Sequence, residues 1–140
     1  IASFVFGMGS KVKSAPQAQF MLEDAPQSVD TGPILYATLY GGEKLKCGDI
    51  RLQIVVTDTG DVYTMAWNST NHSWQYPGTG TATIWTNNDS FTDNFINIGD
   101  VIKISHNDTA VNIDSGNTVE FRVIHIPTGT VIYDGRVTAQ

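Results

Sequence analysis

The stretch NTVEFRVIHIPTGTVIYDGRVT, residues 117–138, decides the fold. Apolar and β-branched residues alternate on both sides of an Ile-Pro-Thr-Gly-Thr break, where Pro presets φ and Gly makes a positive φ cheap. Nothing in it recurs every three or four residues, so it reads as two short strands and a turn. The same grammar repeats outward from this hairpin. AQFMLED (18–24), ILYATLY (34–40), RLQIVVTD (51–58), DVYTMAW (61–67), TATIWT (81–86) and DVIKIS (100–105) are further short alternating runs. Between them lie TGP, YGGE, DTGD, YPGTG, INIGD and DSGN, all turn-forming. The pattern gives about eight strands, paired as antiparallel neighbours. With no helical stretch after about Ser14, the expected architecture is mainly β, an antiparallel sandwich or barrel.

The chain has 140 residues, of which 41% are hydrophobic and 16% charged, enough for one sizeable core and too few for two ordinary domains. A formal net charge of −6, with no run of Lys or Arg, would repel a phosphate backbone, so nucleic acid is not an expected partner. The single cysteine, Cys47, cannot close an internal disulfide and reads as a buried small side chain.

Residues 1–10, IASFVFGMGS, break the pattern. On a helix, Ile1, Phe4, Val5 and Met8 share one face while Ala2 and Phe6 fill the other, leaving it apolar all round and in need of an apolar surrounding. It is shorter than the roughly 20 residues that span a bilayer and the about 12–15 that make a lone helix marginally stable. The segment therefore reads as the end of a longer hydrophobic helix, weakened by Gly7 and Gly9 and followed by a polar connector with Lys11, Lys13 and Pro16. The alternative is a first strand, ASFVF, packed on the core. The division expected is a helix end and connector over residues 1–14 and a β head over residues 15–140.

At this point the residues carry a resemblance. IASFVFGMGS resembles the end of the hydrophobic N-terminal segment of archaeal type IV pilins, a family in which that segment closes on a Phe-Gly-Met-Gly-like sequence. YGGEKLKCGDIRL (40–52), FINIGDVIKI (95–104) and VEFRVIHIPTGTVIYDGRVT (119–138) are similar to that family's head domain. The family's processing signal and the start of its helix do not stand before Ile1, so prepilin processing is only implied. The resemblance implies an immunoglobulin-like antiparallel β-sandwich head with a short N-terminal α-helical segment, in a subunit of an extracellular, cell-surface filament used for adhesion. It also implies that the helix sits in the membrane before assembly and then packs against other copies in a helical homopolymer. Association out of lipid gains little hydrophobic free energy, so close packing must carry it. The filament-core set is then Ile1, Ala2, Ser3, Phe4, Val5, Phe6, Gly7, Met8 and Gly9, whose small members allow close approach.

Catalytic chemistry has little to stand on. His72, His106 and His125 fall in different segments without a zinc spacing, and His125 reads as a strand residue. No phosphate loop, nucleophile elbow or Cys-His signature is present, so neither an enzyme nor a cofactor or metal is expected. Asp58 and Asp61 in DTGD, and Asp108, Asn112 and Asp114 in NDTAVNIDSGN, offer oxygen ligands but complete no calcium loop; hairpin-turn chemistry is the reading preferred.

The centre, WNSTNHSWQYPGTGTATIW (67–85), holds all three Trp residues. Trp67 and Trp85 lie on strand-like alternations and read as core, leaving Trp74 and Tyr76 as a candidate exposed pair. Aromatic faces beside amides suit sugar stacking, so the second function reading is a secreted carbohydrate-binding module with surface glycans as partners. N-x-[ST] sequons stand at Asn68, Asn71, Asn88 and Asn107, all in expected turns, and on an extracellular filament they would make the chain a glycoprotein. Asn88 ranks last, because the Asn side chain of NNDS is expected to bond its own turn.

Overall fold

The structure, a computed structural model, describes residues 15–24, 31–77, 81–107, 113–114 and 116–139. The expected N-terminal helix and the filament-core set, residues 1–9, lie outside the described residues. In chain order the strands are β1 (Ala18–Asp24), β2 (Thr31–Gly42), β3 (Leu45–Lys46), β4 (Ile50–Val56), β5 (Asp61–Asn68), β6 (Ser73–Tyr76), β7 (Ile84–Thr86), β8 (Phe95–Ile96), β9 (Val101–Asn107), β10 (Thr118–His125) and β11 (Thr130–Thr138). A 3₁₀ turn, Cys47–Asp49, joins β3 to β4. The opening hairpin is β10 and β11, in antiparallel register from Thr118↔Thr138 to His125↔Thr130.

Nine strands form one antiparallel sheet in the order β1-β2-β9-β7-β6-β5-β4-β10-β11, and β3 pairs with β8 beside it. The expected sandwich is corrected here: the sheet curls toward a barrel instead of dividing into two layers. Ladder pairing carries it without a break from one wall to the other, through Trp67↔Trp74, Tyr76↔Ile84 and Ile84↔His106. Register shifts at Gln19/Phe20, Pro33/Leu35 and Val123/Ile124 each insert an extra residue, which sharpens twist and helps the sheet bend.

Among the described residues, closure is not completed by ladder hydrogen bonds. The outer strands β1 and β11 are the two ends of the strand order and meet through side chains. The Phe20 ring of β1 lies 5.2 Å from that of Tyr133 on β11 and 6.1 Å from that of Phe121 on β10. At Gly135 of β11 a Cβ would run into Tyr133 and Leu22, so the missing side chain is what lets Leu22 of β1 seat there. This side-chain contact between β1 and β11 is the seam of the barrel.

Alternation along each strand fills the interior. Leu52, Ile54, Ile104, Phe121 and Val123 are fully buried, each separated from the next inward residue on its strand by an outward one. Trp74 of β6 is also 0% exposed. Its indole packs 4.7 Å from the Trp67 ring and 5.2 Å from Phe91, and Nε1–H donates to the Ile50 carbonyl at 2.9 Å. Tyr76, two residues on, shares that inward face and meets the Tyr63 ring edge-on at 5.3 Å. The expected exposed pair is therefore corrected for Trp74, which is core, while Tyr76 is half-buried. The reason is strand parity: Gln75 points out, and Trp85, its cross-strand partner, is the ring that reaches solvent at 36% exposure.

Candidate functional site

Because all pairs are antiparallel, one rim of the barrel collects the start of β1, the end of β2, the β5–β6 turn, the residues before β9 and the β10–β11 turn. This is the rim at which residues 15–17 lead into the head. The junction is clamped: Glu43 N–H donates to the Gln17 carbonyl at 2.9 Å, and Gln17 N–H donates to Glu43 Oε2 at 3.2 Å. Gly42 makes the clamp feasible. Its φ is +92°, in the region that favours glycine, and a Cβ there would run into the Gln17 carbonyl.

Beside the clamp the seam opens into a cleft of about 380 Å³, lined by Pro16, Gln17, Gln19 and Gly42 on one side and by Thr130 and Val131 on the other. Apolar side chains stand exposed along the same rim, Val131 in the cleft itself. Val131 is 48% exposed, Ile126 in the β10–β11 turn 44%, Tyr40 54% and Ile98 53%. Tyr40 is the extra residue of the β1–β2 bulge, since Phe20 faces Leu39 and Gln19 faces Gly41. Ile98 is brought beside it because Gly99 N–H donates to the Leu39 carbonyl at 2.7 Å. These four were not picked out from the sequence. A signal existed for two of them, because Ile98 in INIGD and Ile126 in IPTGT are large apolar residues inside turn punctuation, where no core can claim them.

The opposite part of the same rim is polar. Asn68 Oδ1 accepts the backbone N–H groups of Thr70 at 2.9 Å and Asn71 at 3.1 Å, while its Nδ2 donates to Gln75 Oε1 at 3.3 Å. Asn71 and Asn88 are exposed; Asn107 is exposed toward the other end of β9. In NNDS the turn-bonding side chain is that of Asn87, not Asn88. Asn87 Nδ2 reaches Asp89 Oδ1 at 2.9 Å and the Val101 carbonyl at 3.1 Å, and its Oδ1 accepts Lys103 N–H at 2.9 Å.

Ionisable groups at both ends of the barrel act as structure. Cys47 is buried, and that burial, with Asp93 and Asp100 adding negative charge, pushes its thiol up to about 12, so it stays protonated. Asp93 is itself held below the ordinary carboxylate value by hydrogen bonds from the Asn97 side chain and the Phe95 backbone. Asp58 Oδ1 accepts Thr118 N–H at 2.8 Å, and Thr59 Oγ1 bonds Asp61 Oδ2 at 3.1 Å, so the DTGD carboxylates tie a turn to its neighbours. Of the other set, Asp108 and Asn112 lie outside the described residues, while Asp114 N–H donates to Asn117 Oδ1 at 2.8 Å. Among the described residues no cluster of three or more His, Cys, Asp or Glu is arranged to hold a metal, and no helix is long and apolar enough to cross a membrane. His125 is buried, with Nδ1 at 2.8 Å from Thr128 Oγ1, and His72 occupies a positive φ of 55° in the β5–β6 turn. Compared with known protein families and with characterised proteins, the chain matches none.

Proposed function

We propose that the chain is a non-enzymatic structural subunit of an extracellular filament of the archaeal type IV pilus kind. Its N-terminal segment packs in the filament core after leaving the membrane, and its β head, a sheet curled nearly shut, forms the outer surface used in adhesion. The observation that carries this reading is that exposed Tyr40, Ile98, Ile126 and Val131 all lie on the rim where residues 15–17 enter the head, with Val131 lining the cleft beside them. Exposed apolar area at that junction is stabilised by burial, at about 25 cal/mol per Å², when neighbouring copies pack around a common axis. The polar, sequon-bearing arc of the rim then faces away from that axis.

Deleting residues 1–9 tests it. The truncated chain is expected to fold as a soluble monomer that forms no filaments by electron microscopy, since the described core lies within the head. The full-length chain with Tyr40→Ser, Ile98→Ser and Val131→Ser is expected to fold and to assemble poorly. Filaments from the truncated chain would sink the reading. Loss of folding would return ASFVF to the barrel as a strand.

A further inference from the structure

We infer that the outer face of the sheet at Trp85 is a stacking site for a neutral, β-linked pyranose sugar. Trp85 stands on β7 between Gln75 of β6 and Ser105 of β9, each its direct cross-strand partner. Register extends the row to Ala66 of β5 on one side and Pro33 of β2 on the other. The row therefore presents one indole, an amide and a hydroxyl on either flank, two small apolar residues beyond them, and no charge. Trp85 lies in the interior of the nine-strand order, where ladders on both sides hold its backbone.

The chemistry of the row selects the ligand. A gluco- or galactopyranose in β linkage offers an apolar C–H face that lies on the electron-rich face of an indole, and its ring-edge hydroxyls project sideways. Cross-strand neighbours stand about 5 Å from Trp85, within reach of those hydroxyls. Gln75 is already oriented. Its Oε1 accepts Asn68 Nδ2 at 3.3 Å on the β5 side, which anchors the amide and leaves its NH₂ to act as a donor. Ser105 supplies a hydroxyl that donates or accepts. A phosphate or carboxylate ligand would find one cation nearby, the exposed Lys103 two residues before Ser105 on the same face of β9, and none in the row itself. A protein partner would require roughly 800 Å² of surface, far more than one indole flanked by Ala and Pro provides in apolar contact. The inference goes beyond filament assembly and does not rest on it.

The test titrates the 140-residue chain with cellohexaose and with a β-1,4-galactan hexasaccharide, reading heat by calorimetry in parent and variants alike, because the Trp85 variants lose the fluorescent reporter, and tryptophan fluorescence in the parent. A saturable change is expected for at least one of them. Trp85→Ala should weaken binding at least about tenfold, Trp85→Tyr should retain it within about tenfold, and Ser105→Ala should weaken it by less than Trp85→Ala. The Tyr variant guards against misfolding, because it keeps an aromatic strand residue in place. The inference is overturned by the absence of a saturable change up to tens of millimolar sugar, or by undiminished binding in folded Trp85→Ala. A fluorescence change that follows protein concentration alone would also overturn it, making Trp85 a contact between copies.

Discussion

The two sides of the barrel are held by different means. Opposite the seam, hydrogen-bonded ladders run through β4, β5, β6, β7 and β9, and the β5–β6 turn has Asn68 bonding its own backbone. At the seam, β1 and β11 touch through Phe20, Leu22 and Tyr133, and below those side chains the cleft opens beside exposed Tyr40 and Val131. A ladder fixes register and excludes partners, whereas a side-chain seam leaves edges and apolar area available. The laddered wall is thus closed to added strands, while the seam leaves strand edges and a cleft open.

The largest expected effect tests that division. Trp74→Ala removes a wholly buried indole from the laddered wall and leaves the Ile50 carbonyl without its donor, so it should cost about 3–5 kcal/mol in urea denaturation. Phe20→Ala removes a ring of nearly equal burial from the seam, where β11 has no ladder to hold it off and can move in over the gap. Its cost should fall below that of Trp74→Ala. Equal or larger cost at Phe20 would mean that the seam is as rigid as the wall.

Next in size is the clamp. Gly42→Ala forces a side chain into a left-handed φ, costing about 1–2 kcal/mol, and also displaces the Gln17 carbonyl from Glu43 N–H. Cys47, a few residues on, reports whether the rim opens, since a buried thiol with its pKa at about 12 should resist alkylation at pH 8 until it is exposed. Faster alkylation in the variant under native conditions is expected, with little change for a control substitution at Gly48, where a Cβ meets nothing within 4 Å. An unchanged rate would confine the damage to residues 15–17. The raised thiol pKa also has a sign: the unfolded chain ionises first, so this contribution is present below the ordinary thiol value of 9.0 and is lost as pH rises through about 12.

How much of this was legible follows from which features are local. The β10–β11 hairpin shows in 117–138 because alternation and turn chemistry sit within one short stretch. The short strands β3, β6 and β8 do not, since two to four residues carry too little periodicity to register. Missing β6 had a cost. Strand-like alternation around Trp67 and Trp85 points to core positions and leaves Trp74 as an exposed candidate, and pairing of β6 with β7 reverses that for Trp74 and Trp85 together. Near-closure depends on β2–β9 and β7–β9 pairs, between segments far apart in the chain, which no local pattern encodes. At the rim, Gly42 is visible as turn punctuation, but the carbonyl it must clear belongs to Gln17.

Sequon occupancy sharpens the comparison further. Produced in a host that glycosylates secreted proteins, the chain should carry glycan on exposed Asn71 or Asn88 before Asn68, as read by intact mass and peptide mapping. The amide nitrogen that would be modified at Asn68 already donates to Gln75, and its oxygen holds two N–H groups of the turn. Modification of Asn68 ahead of both would show that this turn opens more readily than its hydrogen bonds suggest.

The smallest effect lies on the outer face of the seam-side hairpin. Glu120 of β10 is 4% exposed although it points outward, covered by Arg122, whose Nε donates to Glu120 Oε2 at 3.0 Å, and approached by Arg136 at 3.9 Å. Arg122 also reaches Gln53 of β4 at 3.1 Å and Asp134 of β11 at 3.8 Å. Glu120 and Asp134 share a hydrogen bond, which holds Glu120 below its ordinary value of 4.5 and raises Asp134 above its ordinary 3.8. The two therefore pull stability in opposite directions. Glu120 contributes above about its ordinary value, and that contribution is lost as pH falls through its lowered pKa. Asp134 contributes below about its ordinary value, and its part is lost as pH rises through its raised pKa, where two neighbouring carboxylates are both charged. Asp134→Asn keeps a donor facing Glu120 at every pH and removes the second charge. The variant should melt slightly higher than the parent at pH 7, by less than about 1 kcal/mol because Asp134 is about half exposed, and the gain should shrink toward pH 3. A pH-independent difference, or a loss at neutral pH, would show that attraction of Asp134 to Arg122 outweighs its conflict with Glu120.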